Sequence, residues 1–318
     1  MMAAALAWIA LKSLILILVL LGGFAYIMVF ERKLLGWMQY RLGPNRVGPW
    51  GLLQPIADGV KMFFKEDLMP RDADPIVFHT APMIALAVAL LAYALIPVAP
   101  GWAIASPDAG MLTLLAITSL GVYGIALGGW ASQSKYALLG SLRSTAQMVS
   151  YELAMGMAAL SVMVVAGSVR FADIVDAQAG LWNIVRMPVA FLVFFIAMFA
   201  ETNRTPFDLP EAEAELVSGY NTEYSGMRFA MFYMAEYVNM ITAASLITLL
   251  FLGGWRGPWL PPVVWFLLKV VFLLFVFIWV RATLPRLRYD RLMHFGWKVL
   301  LPASAANLVA YAAWVALR

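Results

Sequence analysis

Carboxylates set where water is scarce are the residues of this chain best suited to chemistry. Glu152 and Glu236 each interrupt a long apolar run, and Glu201 closes another. After Glu201 the chain reads Thr202-Asn203-Arg204-Thr205-Pro206-Phe207-Asp208-Leu209-Pro210-Glu211-Ala212-Glu213-Ala214-Glu215. Between 201 and 223 stand six acids (Glu201, Asp208, Glu211, Glu213, Glu215 and Glu223) against the single cation Arg204, a formal balance of −5. An ionised carboxylate at membrane depth is expensive unless it is protonated, paired or hydrated. Desolvation in general lifts a carboxyl pKa towards neutrality, as a proton carrier requires. Proton transfer is therefore the chemistry these positions suggest.

A plainer reading stands beside that one at each position. Glu152 and Glu236 also suit ion pairs between helices, with Lys135, Arg143 and Arg228 the nearest cations in sequence and Tyr151, Tyr233 and Tyr237 the nearby hydroxyls. Asp208-Leu209-Pro210-Glu211 has the spacing of a helix N-cap, a first-turn proline and a glutamate at the third helical position. Glu211 and Glu215 share a helical face at i, i+4, where like charges repel. Shared protons or a basic partner would relieve that repulsion. Capping leaves Glu201, Glu213 and Glu215 without a local explanation.

A second charged region follows the first apolar run. It reads Glu31-Arg32-Lys33, then Arg41-Leu42-Gly43-Pro44-Asn45-Arg46-Val47-Gly48-Pro49. The Gly-Pro pairs mark turns. From Leu52 to Lys65, Leu53, Ile56, Val60 and Phe63 recur at helical spacing, with Asp58, Lys61 and Lys65 on another face. This predicts a short amphipathic helix in the membrane interface or against a partner. Arg32 and Lys33 also suit simple headgroup anchors. The apolar Trp37, Met38, Tyr40, Phe63 and Phe64 among so many charges favour a loop that folds over an amphiphilic ligand or a partner.

The scaffold for these residues is a membrane bundle. Of 318 residues 63% are hydrophobic and 13% charged, whereas soluble domains are about 25% charged. Eight apolar runs are long enough to cross a bilayer, which takes about 20 residues each: roughly 5–30, 79–99, 111–131, 146–167, 181–200, 229–252, 262–281 and 300–317. The first is too long for a signal peptide and lacks a cleavage site. The expected fold is all-α, a single integral membrane domain over 1–318. Sixteen Lys/Arg residues fall on one set of loops (32–78, 201–228 and 282–299 chief among them) and five on the other, with Lys269 inside a span. Positive charge marks the cytoplasmic side, so both termini face outward. The net charge of +4 follows from this topology and gives no reason to expect nucleic acid. No cysteine occurs and only two histidines, His79 and His294, so no thiolate-held cluster or histidine metal site is expected.

Two stretches resemble a known family: Glu31 to Gly36 with Arg41 to Gly48, and Glu201 to Gly226 ending Asn221-Thr222-Glu223-Tyr224-Ser225-Gly226. Gly129-Trp130-Ala131-Ser132 to Lys135-Tyr136 and Arg281 to Asp290 add to it. The chain resembles, over nearly its whole length, the H-type membrane subunits of the bacterial proton-translocating NADH:quinone oxidoreductase, respiratory complex I. Their mitochondrial equivalent is the NADH dehydrogenase subunit 1 family. The resemblance implies a place in the bacterial inner membrane, between the membrane arm and the peripheral arm, and a share in the quinone chamber. It implies that Arg32, Asp58, Phe64, Arg204, Asp208 and Glu211 serve quinone binding. Glu152, Glu201, Glu213, Glu215, Glu223 and Glu236 would relay protons, with Arg143 as a balancing charge. No cofactor is expected on this chain: quinone is the substrate, while NADH, FMN and the iron–sulfur clusters belong to partner subunits. Those partners include the subunit with the terminal cluster and the antiporter-like and small membrane subunits.

Three other readings fit the same acids. One is a stand-alone cation/proton antiporter. Another is the related membrane subunit of a membrane-bound hydrogenase, which has no need of a quinone tunnel. The third is a purely architectural anchor, in which the acids serve assembly alone.

Overall fold

A computed structural model describes residues 2–208 and 218–317, which are helical with no strand among them. The helices are α1 (Met2–Met38), α2 (Gln54–Phe64), α3 (Pro75–Tyr93), α4 (Gly110–Ser119), α5 (Gly121–Ala131), α6 (Lys135–Ala166), α7 (Phe171–Asp176), α8 (Asn183–Arg186), α9 (Pro188–Glu201), α10 (Gly226–Phe251), α11 (Pro262–Thr283), α12 (Tyr289–Phe295) and α13 (Leu301–Ala316). Seven helical stretches are long and apolar enough to cross a membrane, two of them formed by α4 with α5 and by α12 with α13. A π-helical turn, Gly296–Leu300, joins α12 to α13.

α9, with 14 residues, is an eighth traverse, and hydrogen bonds between loops establish it. One end of the bundle ties together the segments near 66, 131, 147, 200–207, 225 and 287–292. Asp74 N donates to Ala131 O and Leu287 N to Pro206 O, Gln147 to Ala200 O and Phe207 O, Tyr151 to Leu292 O and Ser225 to Glu66 O. The other end ties 108–111 to 169–170, Asn183 to Leu250 O and Tyr311 to Arg186 O. The chain enters α9 at the second end and leaves it at the first. Gly23 faces Ile241 and Glu31 meets Tyr237, so α1 runs antiparallel to α10. Both termini therefore share one end, opposite the acids.

Several boundaries differ from those the apolar runs predict. α1 runs on to Met38, which makes Glu31, Arg32 and Lys33 helical. α6 starts at Lys135, so Glu152 stands seventeen residues into its helix and Glu236 ten into α10. Hydropathy sees only the lipid-facing length of a helix, and these helices continue beyond it through polar turns. Pro188 separates α8 from α9, and Met187 before it is pushed out of helical geometry (φ −133°, ψ 59°). The predicted 181–200 run is thus a four-residue helix followed by a shorter span.

Small residues let the helices approach, as expected where lipid offers no hydrophobic drive. A Cβ on Gly129 of α5 would stand 2.3 Å from the Cβ of Ser141 in α6. Aromatic rings fill the space between α9 and α11, where Phe199 stacks on Phe277 at 4.1 Å. α10 is the central post: 83% of its most apolar stretch is buried, against 11% in α1. Its start is held by Arg228, which pairs with Asp67 at 2.8 Å and lies over the Phe78 ring.

Candidate functional site

Arg204 is the hub of the acid end. It lies in the turn after α9, where its amide donates to Phe199 O and its carbonyl accepts from Phe207 N. Its Nη1 is 3.2 Å from Glu31 Oε1 and 3.4 Å from Oε2, and its Nε is 2.7 Å from Glu236 Oε1. The guanidinium carbon stands 4.3 Å from the centre of the Tyr237 ring, and Tyr237 donates to Glu31 Oε2 at 2.9 Å. Arg281 of α11 also pairs with Glu31. Two arginines and two glutamates from four segments thus cancel formally. Each would cost several kcal/mol if buried alone. Arg204 Nη2 has no hydrogen-bond partner among the described residues, which leaves the hub an unused amino group with both its donors.

Asp208 continues the cluster. It is buried, and its Oδ2 accepts from Arg286 at 3.0 Å, while Oδ1 is without a partner among the described residues. Burial pushes its carboxyl up from the ordinary aspartate range, with Arg286, Arg281 and Arg204 pulling the other way.

A cavity of about 60 Å³ adjoins the hub, lined among others by Thr118, Glu201, Glu236, Asn239 and Thr242. At 10–15 Å³ per water it holds roughly four molecules. One oxygen of Glu201, Oε2, is buried with no hydrogen-bond partner among the described residues. Glu152 accepts from Ser119 and lies close enough to Glu201 for the two to repel. Among the described residues neither is paired with a cation. The turn that carries Asn203 and Arg204 is fixed to α6 by Gln147, which reaches Ala200 O and Phe207 O at 2.8 Å each and Asn203 Oδ1 at 3.3 Å.

The 31–65 region forms a second, open part of the same end. Arg32 pairs with Asp58 at 2.9 Å, and Gln54 donates to the other oxygen of Asp58 at 2.9 Å. The loop before α2 turns through Gly51 (φ +73°), where a Cβ would meet Pro44 O at 2.2 Å. The amphipathic helix spans Gln54–Phe64 with no buried residue. Its apolar Ile56, Val60, Phe63 and Phe64 are all exposed.

The structure therefore gathers Arg204, Asp208 and Glu236 at one end and brings Arg32 to Asp58. Phe64 stands exposed at the end of α2. Glu223 is half-buried in the turn before α10, and the Arg143 guanidinium lies 5.8 Å from the centre of the Tyr289 ring. Glu211, Glu213 and Glu215 fall outside the described residues, as does the helix that Asp208 was expected to cap. Glu31, Tyr237 and Arg281 are cluster members outside the expected site set, although the sequence places the Tyr237 hydroxyl near Glu236. Their partners lie 173, 206 and 250 positions away. The only other signal was an acid beside two cations at the end of a span.

Comparison with known proteins bears on what this arrangement serves. The family model described as NADH dehydrogenase matches residues 11–312. The H subunit of NADH-quinone oxidoreductase from Rhodospirillum rubrum is 53% identical over 315 residues, 96% of this chain and 94% of the relative. The chain belongs to that family. The H 1 subunit of the Symbiobacterium thermophilum enzyme is 53% identical over 318 residues, 97% of each chain. The H subunit from Syntrophotalea carbinolica is 56% identical over 300 residues, 92% of this chain and 91% of its own. The match to these relatives thus runs through the traverses and the acid end alike. They are named as parts of an oxidoreductase, so the enzyme to which such a chain contributes is a multisubunit one.

Proposed function

We propose that the chain is the membrane subunit of NADH-quinone oxidoreductase that walls part of the quinone chamber and passes charge from it into a carboxylate chain. What carries the reading is the double position of Glu236, bound to Arg204 on one side and lining the cavity with Glu201 on the other. NADH oxidation and electron delivery belong to partner subunits, together with their FMN and iron–sulfur clusters. This chain contributes electrostatics and proton positions. The acid end faces the cytoplasm across a bacterial inner membrane and both termini face outward, a reading supported by the Lys/Arg bias.

In this reading quinone approaches past Arg32, Asp58 and Phe64 and reacts near Asp208 and Arg204. Proton demand at the quinone changes the potential around the hub. Arg204 binds Glu31 through Nη1 and Glu236 through Nε, so a small displacement of its guanidinium strengthens one contact at the expense of the other. When Glu236 loses its cation it takes up a proton that water in the cavity relays from Glu201, which is left to be reprotonated from the acids beyond it. Glu201 and then Glu152 are the next acids along. Glu211, Glu213, Glu215 and Glu223 extend the acidic surface, with Arg143 as a balancing charge.

The test uses the intact enzyme in proteoliposomes. Glu236→Gln and Glu152→Gln are expected to assemble and to reduce quinone, while the protons moved per NADH fall. Unaltered rate and stoichiometry in both variants would sink the relay.

A further inference from the structure

The end of α10 opposite the acids terminates at a lysine. Among the described residues Glu31, Arg204 and Asp208 are buried at the acid end, and Lys269 is the charged residue buried at the other. Its ammonium donates to Leu252 O at 2.7 Å, Gly254 O at 2.9 Å and Arg256 O at 2.7 Å, which uses all three of its protons. Trp182 and Trp265 present their rings at 4.7 and 5.8 Å. The acids Asp108 and Asp176 pair elsewhere, with Arg170 and Arg256, and Lys269 has no carboxylate partner among the described residues.

Neutral side chains complete the closure. Gln178 donates to Leu249 O at 2.8 Å and accepts from Gly253 N at 3.0 Å, and Asn183 donates to Leu250 O at 2.8 Å. These carbonyls form the negative end of the helix dipole, which attracts cations. A row of buried hydroxyls leads towards them from the cavity. Thr242 lines the cavity, Ser245 donates to the Tyr93 hydroxyl at 3.4 Å, and Thr248 follows at the same spacing. Thr248 O accepts from Gly254 N at 2.8 Å, and Gly254 O is one of the three carbonyls held by Lys269.

We propose that Lys269 is an ion seal: a tethered cation held by the loop carbonyls just beyond the end of α10, where it stops protons on the acid chain from escaping along the hydroxyl row. The protein then moves charge sideways within its acid half and does not carry it from face to face. This rests on the proton-coupled reading above. A fixed charge about 10 Å from a passing proton, at an effective dielectric of about 20, lowers that proton's occupancy roughly tenfold. Without the ammonium, the same carbonyls and indole faces make a site for a mobile cation.

The measurement is the decay of an imposed pH gradient across proteoliposomes that hold the intact multisubunit enzyme, with no NADH present. Turnover plays no part, so failure of the coupling reading leaves this readout unaffected. Lys269→Met is expected to speed the decay roughly tenfold. Lys269→Arg, which keeps the charge, and Gln178→Leu, which removes a neutral cap but keeps the ammonium, are expected to hold the gradient as the parent does. Co-purification of partner subunits verifies assembly of each variant. If Lys269→Met does not assemble, Lys269→Gln, which retains a donor without the charge, carries the same expectation. An assembled, uncharged variant as tight as the parent overturns the proposal. So does a Gln178→Leu enzyme that leaks as fast as Lys269→Met, because closure would then be packing and not charge.

Discussion

The acids of this chain form two groups that sit side by side and obey different rules. Glu31 and Glu236 share Arg204, Glu31 also holds Arg281, and the four are embedded in a neutral, cross-braced cluster. Glu152 and Glu201 face each other near the cavity with a serine for company and no cation among the described residues. The first group joins four segments, so its removal should be felt in stability. The second holds no element together through an ion pair, so its removal should be felt in turnover. Glu236 lies in both groups, bound to Arg204 and lining the cavity, which is why the proposed relay makes it the point of transfer.

The largest effect that separates the groups comes from Arg204→Met. Two buried carboxylates would lose their shared cation, and breaking such a pair costs about 3–5 kcal/mol. Loss of assembled enzyme, or a sharply lowered melting temperature, is the expected outcome. Glu201→Gln is the counterpart. It removes a buried carboxyl that no cation pairs with among the described residues, so melting should hold or rise slightly while protons moved per NADH fall. If both variants melt alike, the division into two groups is wrong.

A finer probe is Asp208. Burial raises its folded carboxyl above the ordinary aspartate value of about 3.9, so the folded chain holds that proton more tightly than the unfolded chain does. The stability it adds is full below about pH 3.9 and is lost as pH rises through the raised folded value. Melting of Asp208→Asn should therefore gain on the parent as pH rises from about 4 towards neutrality. A flat difference would mean that the arginines offset the burial, and a difference of the opposite slope that they outweigh it. The smallest effect belongs to the open Arg32–Asp58 pair, whose side chains are 46% and 27% exposed. Arg32→Ala should cost only ~0.2–1 kcal/mol. A raised KM for quinone with little change in melting would mark it as a ligand contact.

Much of this was legible in the sequence, and the remainder was hidden for definite reasons. Because lipid imposes a length and interfaces impose a period, apolar runs located the seven long apolar stretches, the shorter α9 and the amphipathic helix, though several ends fall well outside the runs. They missed the early start of α6, since Lys135, Ser141, Arg143, Ser144 and Thr145 break the apolar run over a stretch that is nonetheless helical. Pro188 was visible, yet run length alone did not register that it breaks 181–200 in two. Glu236 and Arg204 could be singled out as costly, but not as partners, because their contact depends on how α10 packs against the turn after α9. Lys269 could be noted only as a charge within a span. Its carbonyl partners exist only once α10 has ended beside it.

α9 is the helix that makes room for this site. Fourteen residues rise about 21 Å, against a hydrocarbon core of about 30 Å, so the traverse stops nearly two turns short. Thr202 to Asp208, which follow, are irregular backbone packed within the protein, the setting in which a membrane protein tolerates it. Arg204 and Asp208 are thereby buried within the protein without either belonging to a spanning helix. Extending α9 by two turns would carry them out to the surface, leave the fold recognisable, and take the hub from Glu31 and Glu236.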